Sequence, residues 1–303
     1  MPEGHSIHRL ARQFNDVFAG ERVRVSSPQG RFESGAALVD GATLRGAFAH
    51  GKHLFISFDN GLWVNVHLGI YGSWSFGGDE SFVGASSIGA PRKIGEKEYG
   101  AEDAGEYTGP PAPKDTVRCR IVSEHGWADL VGPTICRTLN DEEVAVVRSK
   151  LGPDPLNDDA NPQDFYRALA KSSRPVGVIL MDQAAISGVG NIFRAESLYR
   201  QKVDPFLPGK QVSEDQARRL WEDNAHLLRI GVRVGRIITT EAEDRPGVSE
   251  YEAWPDHANY VYMRQGQECT RCGEMIRMQE VAGRKLYWCP GCQSSNGASS
   301  KTI

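Results

Sequence analysis

The sequence predicts a multidomain α+β protein: an N-terminal β-sandwich that carries one helix, a helical region, and a short C-terminal β-hairpin. Short alternating or β-branched segments dominate from Arg22 to about Val131, and helical patterns dominate from about Asp141 to Ile238. Two pairs of cysteines follow near the C-terminus. A chain of 303 residues is long enough for two domains and a small appendix. We place the domains at residues 1–135, 136–250 and 251–303.

The N-terminal region begins with a helix predicted from Ser6 to Phe18, because its apolar residues recur on one helical face. Strand patterns then dominate, at Val23–Val25, Leu54–Phe58, Leu62–Val66 and Val117–Val122. Asp59-Asn60-Gly61 lies between two of these segments and predicts a hairpin turn. A β-sandwich with one N-terminal helix follows from this pattern.

The helical region is marked by signals for helix starts. Asn161 followed by Pro162 is typical of an N-cap with proline at the first helical position. Pro175 opens a second, short helix. Ser213 to Gln216 forms a capping box before a long helix. A polar, acidic segment from Thr239 to Tyr251 links these helices to the cysteine-containing tail.

The net charge of -4 comes from one segment of the chain. Between Gly78 and Gly109 there are seven acidic and three basic residues, so this glycine-rich segment alone carries -4. Its composition is that of a mobile surface loop. The remaining chain sums to about zero, and the tail from Arg264 onward is net basic. Overall charge therefore does not exclude a phosphate-binding face.

Several classes of protein are excluded by composition. No apolar run approaches a membrane span, and the N-terminus lacks a signal-peptide pattern. Six cysteines in a chain of this length do not indicate a secreted disulfide scaffold. We expect a cytoplasmic protein in which Cys119 and Cys136 are buried, reduced thiols.

The remaining cysteines predict a metal site. Cys269 and Cys272 form one Cys-x2-Cys pair, and Cys289 and Cys292 form a second pair after sixteen intervening residues. A hairpin that brings the pairs together completes a tetrahedral, structural zinc site, which supplies much of the folding free energy of a short tail. Disulfide pairing and chance spacing are the alternatives. Zinc ribbons often carry basic side chains that contact nucleic acid.

Two further motifs contain residues suited to anion binding or to catalysis. In Ser187-Gly188-Val189-Gly190-Asn191, the glycines allow a tight turn, and a helix that begins near Asn191 directs free N–H groups at an anion. A plain connection between helices, with Asn191 as an N-cap, is the alternative. At the N-terminus, removal of Met1 would give Pro2 a free secondary amine, a nucleophile at neutral pH, beside Glu3 as an acid or base.

Three other segments are ambiguous when each is considered alone. Lys52 lies in a turn before a strand, where a solvated lysine is common. The segment from His67 to Gly72 follows a strand and has the pattern of an ordinary hairpin with core Leu68 and Ile70. Arg284 lies between the two cysteine pairs, where it is either a surface charge or a contact to an anion.

In combination, these features resemble the formamidopyrimidine-DNA glycosylase / endonuclease VIII (Fpg/Nei) family. The resemblance covers nearly the whole chain. It rests on the Pro2-Glu3-Gly4 start, on Leu180–Gln183 before Gly188–Asn191, on Tyr260–Tyr262 before the first cysteine, and on Tyr287–Gln293 at the end. Membership implies a β-sandwich, a helix–two-turns–helix domain and a zinc finger, with damaged double-stranded DNA in the cleft between them.

The resemblance also implies roles for individual residues. Pro2 resembles the nucleophile that forms a Schiff base with the deoxyribose, and Glu3 resembles the acid that assists ring opening and base loss. Lys52 resembles a phosphate contact often assigned to β-elimination. Asn191 and Arg284 resemble the phosphate clamps, and Arg284 is also the residue often assigned to δ-elimination. His67 resembles a further phosphate contact.

The family inserts apolar side chains where Ile70 and Tyr71 stand, to fill the space that an extruded nucleotide leaves. Gly69 replaces a polar residue seen in some endonuclease VIII members. The Tyr287–Gln293 ending and Tyr71 resemble endonuclease VIII, and no Arg-Phe-Gly loop of the purine-preferring branch is visible around 124–127. We therefore expect a substrate class of oxidised pyrimidines, although the His67–Gly69 segment resembles the purine branch.

The resemblance thus implies a monomeric, zinc-containing bacterial enzyme of base excision repair, a DNA glycosylase and abasic-site lyase that associates with the nucleoid when bound to DNA. Three alternatives remain. The first is an oxidised-purine glycosylase. The second is a non-catalytic protein that binds damaged DNA. The third is a zinc-ribbon protein of transcription or translation.

Overall fold

The computed structural model describes residues 2–90, 98–99 and 109–294. The chain divides into two compact units, Met1–Lys150 and Leu151–Ile303. The α+β multidomain fold class predicted from the sequence is confirmed. The further division of the second unit into a helical and a zinc-binding domain remains our proposal.

The first unit is a β-sandwich of two antiparallel sheets. Its strands are β1 (Arg24–Ser26), β2 (Leu44–His50), β3 (His53–Phe58), β4 (Trp63–His67), β5 (Ser73–Gly78), β6 (Gly84–Ala85), β7 (Ser87–Gly89), β8 (Glu98–Tyr99), β9 (Val117–Val122), β10 (Gly126–Val131) and β11 (Ile135–Leu139). One sheet has the order β1-β9-β10-β5-β7, and the other has the order β11-β4-β3-β2. Strands β6 and β8 pair separately.

The core of this unit lies between the sheets. Alternate residues of β3 and β4, such as Leu54, Ile56 and Val64, are fully buried there. Helix α1 (Gly4–Phe18) closes the core with Phe14, whose ring lies edge-on to Trp74 at 4.9 Å between centroids. The described part of the unit also contains two short helices, α2 (Glu33–Ala37) and α3 (Asp141–Arg148).

Two amide side chains fix α1 against the strands. Asn15 accepts a hydrogen bond from the N–H of Ala47 (2.6 Å) and donates to its carbonyl (2.9 Å). Gln13 makes the same two bonds with Ala85, at 2.9 and 2.8 Å. Each amide satisfies the backbone groups of one residue as a neighbouring strand would. The N-terminal helix is therefore held at two points that lie 32 and 72 residues away in sequence.

The described part of the second unit, residues 151–294, contains four α-helices and one β-hairpin. These are α4 (Pro162–Ala170), α5 (Val176–Ile179), α6 (Asn191–Arg200), α7 (Glu214–Val234), β12 (Arg277–Val281) and β13 (Arg284–Trp288), with a 3-10 helix at Gly209–Gln211. The predicted caps are confirmed: Asn161 caps α4, and Ser213 and Gln216 form a capping box at α7. Gly235 ends α7 in the left-handed conformation.

A buried carboxylate connects the helices to the segment before the hairpin. Glu196 on α6 has no exposed surface and accepts hydrogen bonds from the hydroxyl of Thr239 and from the N–H groups of Tyr260, Val261 and Tyr262, at 2.6 to 2.8 Å. Four donors compensate the loss of hydration of one charge. The chain that leads to the first cysteine pair is therefore held on α6.

Two expectations from the sequence are wrong. The segment from Gly78 onward was expected to be a loop, but Gly84–Ala85 and Ser87–Gly89 are short strands; residues 91–97 and 100–108 of that segment lie outside the described residues. Cys119 is buried as expected, whereas Cys136 is half-buried. Neither forms a disulfide. No helix in the described ranges has both the length and the hydropathy of a membrane span.

Candidate functional site

Pro2 and Glu3 lie directly before helix α1. Both residues are buried, and Glu3 has no exposed surface. The backbone of Glu3 is extended, and its carbonyl accepts the N–H of Ser6 at 3.0 Å, so Glu3 is the N-cap of α1. Its side chain does not cap the helix. The predicted nucleophile and acid therefore stand at the positive end of a helix whose body is fixed by Gln13 and Asn15.

Lys52 and His67 belong to one region of the four-stranded sheet. Lys52 lies in the two-residue turn between β2 and β3, and His67 ends β4. Both side chains are partly exposed. Burial, followed by the nearby Lys52 ammonium, lowers the pKa of His67 below its ordinary value of 6.5. The structure thus brings these two predicted phosphate contacts together.

Ile70 and Tyr71 project from the turn between β4 and β5. They are 41% and 74% exposed, whereas the flanking Leu68 and Gly72 are buried. The N–H of Gly72 donates to the carbonyl of Leu68 at 3.0 Å and closes the turn. Two large apolar side chains are therefore presented to solvent on a short, closed turn, as a wedge requires.

Gly69 is required by the geometry of this turn. Its φ is +67°, and a Cβ atom there would lie 2.3 Å from Cγ2 of Thr134. The backbone N–H of Thr134 donates to the carbonyl of His67 at 2.9 Å. A larger residue at position 69 would be strained and would collide with Thr134. Glycine at position 69 thus has a local structural reason.

The loop from Ser187 to Asn191 is braced by one side chain. The amide of Gln183 accepts the N–H of Gly188 (3.1 Å) and donates to the carbonyl of Val189 (3.0 Å). Gly188 has a φ of +90°, and helix α6 begins at Asn191 as expected. Gly190 is the N-cap, so Asn191 is the first helical residue and not the cap.

Asn191 is buried and connects α6 to the hairpin. Its side-chain amide donates to the carbonyl of Lys285 at 3.0 Å, and its carbonyl oxygen accepts a hydrogen bond from Arg194. Arg194 is 1% exposed and also donates to Lys285 O at 3.0 Å and to Gly177 O at 3.3 Å. The orientation of the Asn191 amide is therefore set by Arg194 and by the hairpin.

Arg284 follows the tip of the hairpin. Ala282 and Gly283 form the turn, with φ values of 51° and 72°, as in a type I′ turn. Arg284 is exposed and directly precedes Lys285, the residue whose carbonyl binds Asn191. Of the predicted phosphate contacts, Asn191 and Arg284 are thus held in one neighbourhood of the second unit.

The four cysteines of the tail form one cluster. Their Sγ atoms all lie within 4.8 Å of one another. Cys269 and Cys292 are separated by 3.8 Å, and Cys272 and Cys289 by 3.4 Å, between Sγ atoms. Zn–S bonds of about 2.3 Å in a tetrahedron place the sulfurs about 3.8 Å apart. The cluster fits zinc, and all four cysteines are free of disulfides.

Side chains around the cluster support its geometry. The Tyr199 hydroxyl lies 3.1 Å from Cys269 Sγ. Burial alone would raise the pKa of Cys269, but this hydroxyl and the N–H groups of Arg271 and Cys272 lower the pKa to about 7. Gln293 accepts the N–H of Cys289 (2.9 Å) and donates to Val203 O (3.0 Å), which ties the metal-binding turn to the helices.

Sequence reasoning did not single out several of these supporting residues. Arg194 and Gln183 orient the Asn191 loop, and Gln13 and Asn15 hold α1. Gln183 was inside a quoted motif, but its amide bonds give no pattern in sequence. The only available signal for Arg194 was a charged residue in a buried stretch of helix.

The chain matches three family descriptions. Residues 1–125 match the formamidopyrimidine-DNA glycosylase N-terminal domain, residues 151–243 match the formamidopyrimidine-DNA glycosylase H2TH domain, and residues 266–294 match a zinc finger found in FPG and IleRS. These ranges correspond to the sandwich, the helices and the cysteine cluster. The cofactor of the cluster is zinc.

Relatives resemble the chain over its whole length. It is 42% identical to endonuclease 8 1 of Mycobacterium tuberculosis over 97% of this chain and 100% of the relative. It is 26% identical to formamidopyrimidine-DNA glycosylase of Thermus thermophilus over 97% and 98%. The fold matches that of Lactococcus lactis Fpg bound to DNA with an abasic site, with a TM-score of 0.71, 20% identity, and coverage of 96% and 99%. The chain therefore belongs to the formamidopyrimidine-DNA glycosylase / endonuclease VIII family of DNA glycosylases.

Proposed function

We propose that this glycosylase acts on damaged double-stranded DNA, removes oxidised pyrimidines through an imine at Pro2, and then cuts the strand by β,δ-elimination. One observation carries the proposal: Pro2 and Glu3 are buried together at the N-terminus of a helix that two amide side chains fix to the sandwich. The location that we propose is the cytoplasm, where the target DNA of a bacterial cell lies.

Pro2 is the proposed nucleophile. Removal of Met1 would leave it with a secondary amine, and the positive end of α1 favours the unprotonated, nucleophilic form. Attack on C1′ forms an N–C bond and breaks the bond to the base. Opening of the sugar ring then gives an iminium ion. This cation accepts the electrons that loss of a C2′ proton releases, so the C3′–O bond breaks with departure of the phosphate.

Glu3 is the proposed general acid. Its burial beside Pro2 places a carboxyl group next to the proposed nucleophile, as required of a residue that delivers a proton to the sugar oxygen or the departing base. For strand cutting we propose Lys52 in β-elimination and Arg284 in δ-elimination. Each belongs to a region that also holds a second proposed phosphate contact, His67 and Asn191 respectively.

Phosphate contacts and a wedge would offset the free energy needed to extrude a nucleotide from the stack. Lys52, His67, Asn191 and Arg284 would hold the backbone bent without reading sequence. Ile70 and Tyr71 would occupy the space left in the stack, because apolar side chains regain part of the lost stacking energy. Their exposure on a closed turn supports this role.

The proposed preference for oxidised pyrimidines has two supports. The relative that is 42% identical over its full length is named endonuclease 8 1. In addition, the β9–β10 hairpin turns within Ser123–Gly126, closed by a bond of 2.8 Å from Ser123 N to Gly126 O. So short a turn has no room for the Arg-Phe-Gly loop that the purine-preferring branch is expected to carry there. Oxidised purines remain the second candidate because the relative from Thermus thermophilus is named formamidopyrimidine-DNA glycosylase.

A panel of duplexes, each with one lesion, tests the substrate class. We expect faster excision of thymine glycol and 5-hydroxycytosine than of 8-oxoguanine and formamidopyrimidine. The opposite order would assign the chain to the purine-preferring function. No cleavage of any duplex, together with tight binding to an abasic one, would leave a non-catalytic damage-binding protein.

The role of Glu3 is tested with the variant Glu3→Gln. We expect excision of an intact lesion to fall by about 100-fold or more, whereas cutting at a preformed abasic site persists. Equal loss of both activities would contradict the assignment of Glu3 to base removal. Wild-type enzyme on both substrates is the matched control.

A further inference from the structure

Three histidines lie side by side across neighbouring strands of the first unit. His50 of β2 is the Cα partner of His53 in β3, and His53 is the partner of His67 in β4. Leu54, Ile56 and Val66 point into the sandwich core, so the alternation of the strands places the three histidines on the other face. The rings of His53 and His67 are 4.9 Å apart between centroids.

A chain of hydrogen bonds sets the proton position on His53. Nε of Arg137 donates to Oδ1 of Asn65 at 3.3 Å, and Nδ2 of Asn65 donates to the carbonyl of Leu54 at 3.2 Å. These partners fix the orientation of the amide, because a guanidinium only donates and a carbonyl only accepts. Nδ2 of Asn65 lies 3.4 Å from Nδ1 of His53. Nδ1 must therefore accept, and the imidazole proton resides on Nε2.

An independent contact sets the same tautomer on His67. The backbone N–H of Gly69 donates to Nδ1 of His67 at 3.1 Å. The Thr134 hydroxyl lies 3.0 Å both from this nitrogen and from the His67 carbonyl; because that carbonyl already accepts the Thr134 N–H at 2.9 Å, the hydroxyl proton is available for Nδ1. The proton of His67 therefore resides on Nε2 as well. Two adjacent imidazoles are thus held in the same protonation form by different residues.

The surroundings of the pair are positively charged. The groups that act electrostatically on His53 are His67, Arg137 and His50, and the group that acts on His67 is Lys52. Burial and these neighbours lower the pKa of His53 to about 4 and that of His67 below 6.5, so both rings are neutral near pH 7. Each then offers one N–H donor inside a region of positive potential, which favours an anion.

We propose that His53 and His67 form a paired donor site for phosphate oxygens of the DNA backbone, in which two neutral imidazoles each donate from Nε2. Asn65 with Arg137 positions His53, and Gly69 positions His67. The inference deepens the proposed DNA-binding function and rests on it. It adds His53 as a second donor beside the single contact expected at His67. It also explains a polar amide, Asn65, that is fully buried between the strands.

Neutral donors and charged contacts differ in their salt dependence. A cationic side chain that neutralises a phosphate releases counterions, so its loss lowers the slope of log affinity against log salt by about one. A neutral imidazole contributes a hydrogen bond without this release. Removal of His53 should weaken binding equally at all salt concentrations.

The test measures affinity for a duplex that contains a tetrahydrofuran abasic analogue, from about 50 to about 200 mM salt near pH 7.5. We expect His53→Phe to bind roughly three- to tenfold more weakly with an unchanged slope. His53→Gln, which keeps an N–H donor, should recover part of the loss. Lys52→Gln is the comparator and should reduce the slope. His125→Gln, in the turn between β9 and β10 of the other sheet, should match the wild type.

Two results would overturn the paired site alone: wild-type affinity in His53→Phe, or a slope reduced as much as in Lys52→Gln. Nitrogen NMR of the imidazoles adds a readout that does not involve activity. Nε2–H tautomers on both rings are expected, and an Nδ1–H tautomer on either ring contradicts the proposal. Failure of the wild-type chain to bind any duplex would overturn the DNA-binding function and the paired site together.

Discussion

The side-chain amide of Asn191 donates a hydrogen bond of 3.0 Å to the main-chain carbonyl of Lys285. Arg194, one turn later in α6, donates to the same carbonyl. The start of a helix and the tip of the zinc-binding hairpin therefore share a single acceptor. Because Arg284 directly precedes that acceptor, the two proposed phosphate contacts of the second unit have one common support.

Loss of this connection should weaken DNA binding. In Asn191→Ala, Arg194 loses an acceptor and Lys285 O loses a donor, so the hairpin tip is held less firmly. We expect affinity for an abasic duplex to fall by roughly three- to tenfold, measured by fluorescence anisotropy. Gln163→Ala, an exposed amide on α4 of the same unit, is the matched control. Equal affinities of the two variants would remove Asn191 from the binding site.

Removal of one zinc ligand should disrupt the zinc-binding hairpin and leave the β-sandwich folded. Cys289→Ser should lose zinc, measured by atomic absorption, and should lose binding to lesion DNA because Arg284 is no longer positioned. The β-sandwich should stay folded, since its core contains no residue of the finger. Cys136→Ala, a half-buried free cysteine of the sandwich, should retain both zinc and binding. Normal binding by the zinc-free variant would contradict the role of the finger.

The exposed wedge should matter for activity and not for stability. Tyr71 is 74% exposed, so Tyr71→Ala removes little native packing and should leave the melting temperature nearly unchanged. Excision from duplex DNA should fall by about tenfold, because the extruded state loses about 1.4 kcal/mol of compensation for lost stacking. Tyr251→Ala, at another exposed tyrosine, controls for loss of an aromatic ring. An unchanged excision rate would exclude Tyr71 as a wedge.

His53 should make the fold sensitive to acid. Burial, followed by neighbouring His67, Arg137 and His50, lowers its pKa from 6.5 to about 4. Between these values the unfolded chain binds the proton and the native chain does not, so stability falls as pH drops. The effect is roughly 3 kcal/mol at most. Urea unfolding near pH 7 and pH 5 should show a smaller difference in His53→Phe than in the wild type.

His125 provides the opposite case for comparison. Its hydrogen bond to Asp79, 2.7 Å long, raises its pKa. Stability from that pair is present at low pH and is lost as pH rises, so His125→Gln should not reduce acid sensitivity. An identical pH dependence in the wild type and His53→Phe would contradict the neutral state assigned to His53.

Much of the fold was predictable because the signals are local. The caps at Asn161 and Ser213 and the strand Val117–Val122 were all identified from a few adjacent residues. The strands Gly84–Ala85 and Ser87–Gly89 were missed because glycine and serine have little strand propensity. They form because β5 and β8 supply partners, which no local pattern reports.

The residues that carry the chemistry of the candidate site were predictable from the sequence, but the residues that position them were not. The spacing of the four cysteines was sufficient for the zinc site, and the structure confirms that they converge. The roles of Pro2, Lys52 and Arg284 remain predictions. The contacts of Gln13 with Ala85 and of Arg194 with Lys285 span 72 and 91 residues, so only the folded chain reveals them. The pairing of His53 with His67 likewise depends on strand register.

The central claim is that the amine of Pro2 attacks the deoxyribose. Borohydride reduction of the enzyme during reaction with an abasic duplex, followed by peptide mass spectrometry, tests it most directly. We expect one covalent adduct at Pro2, on a chain that lacks Met1, and no adduct when an extra residue precedes Pro2. An adduct on a lysine, or active enzyme that retains Met1, would contradict the account.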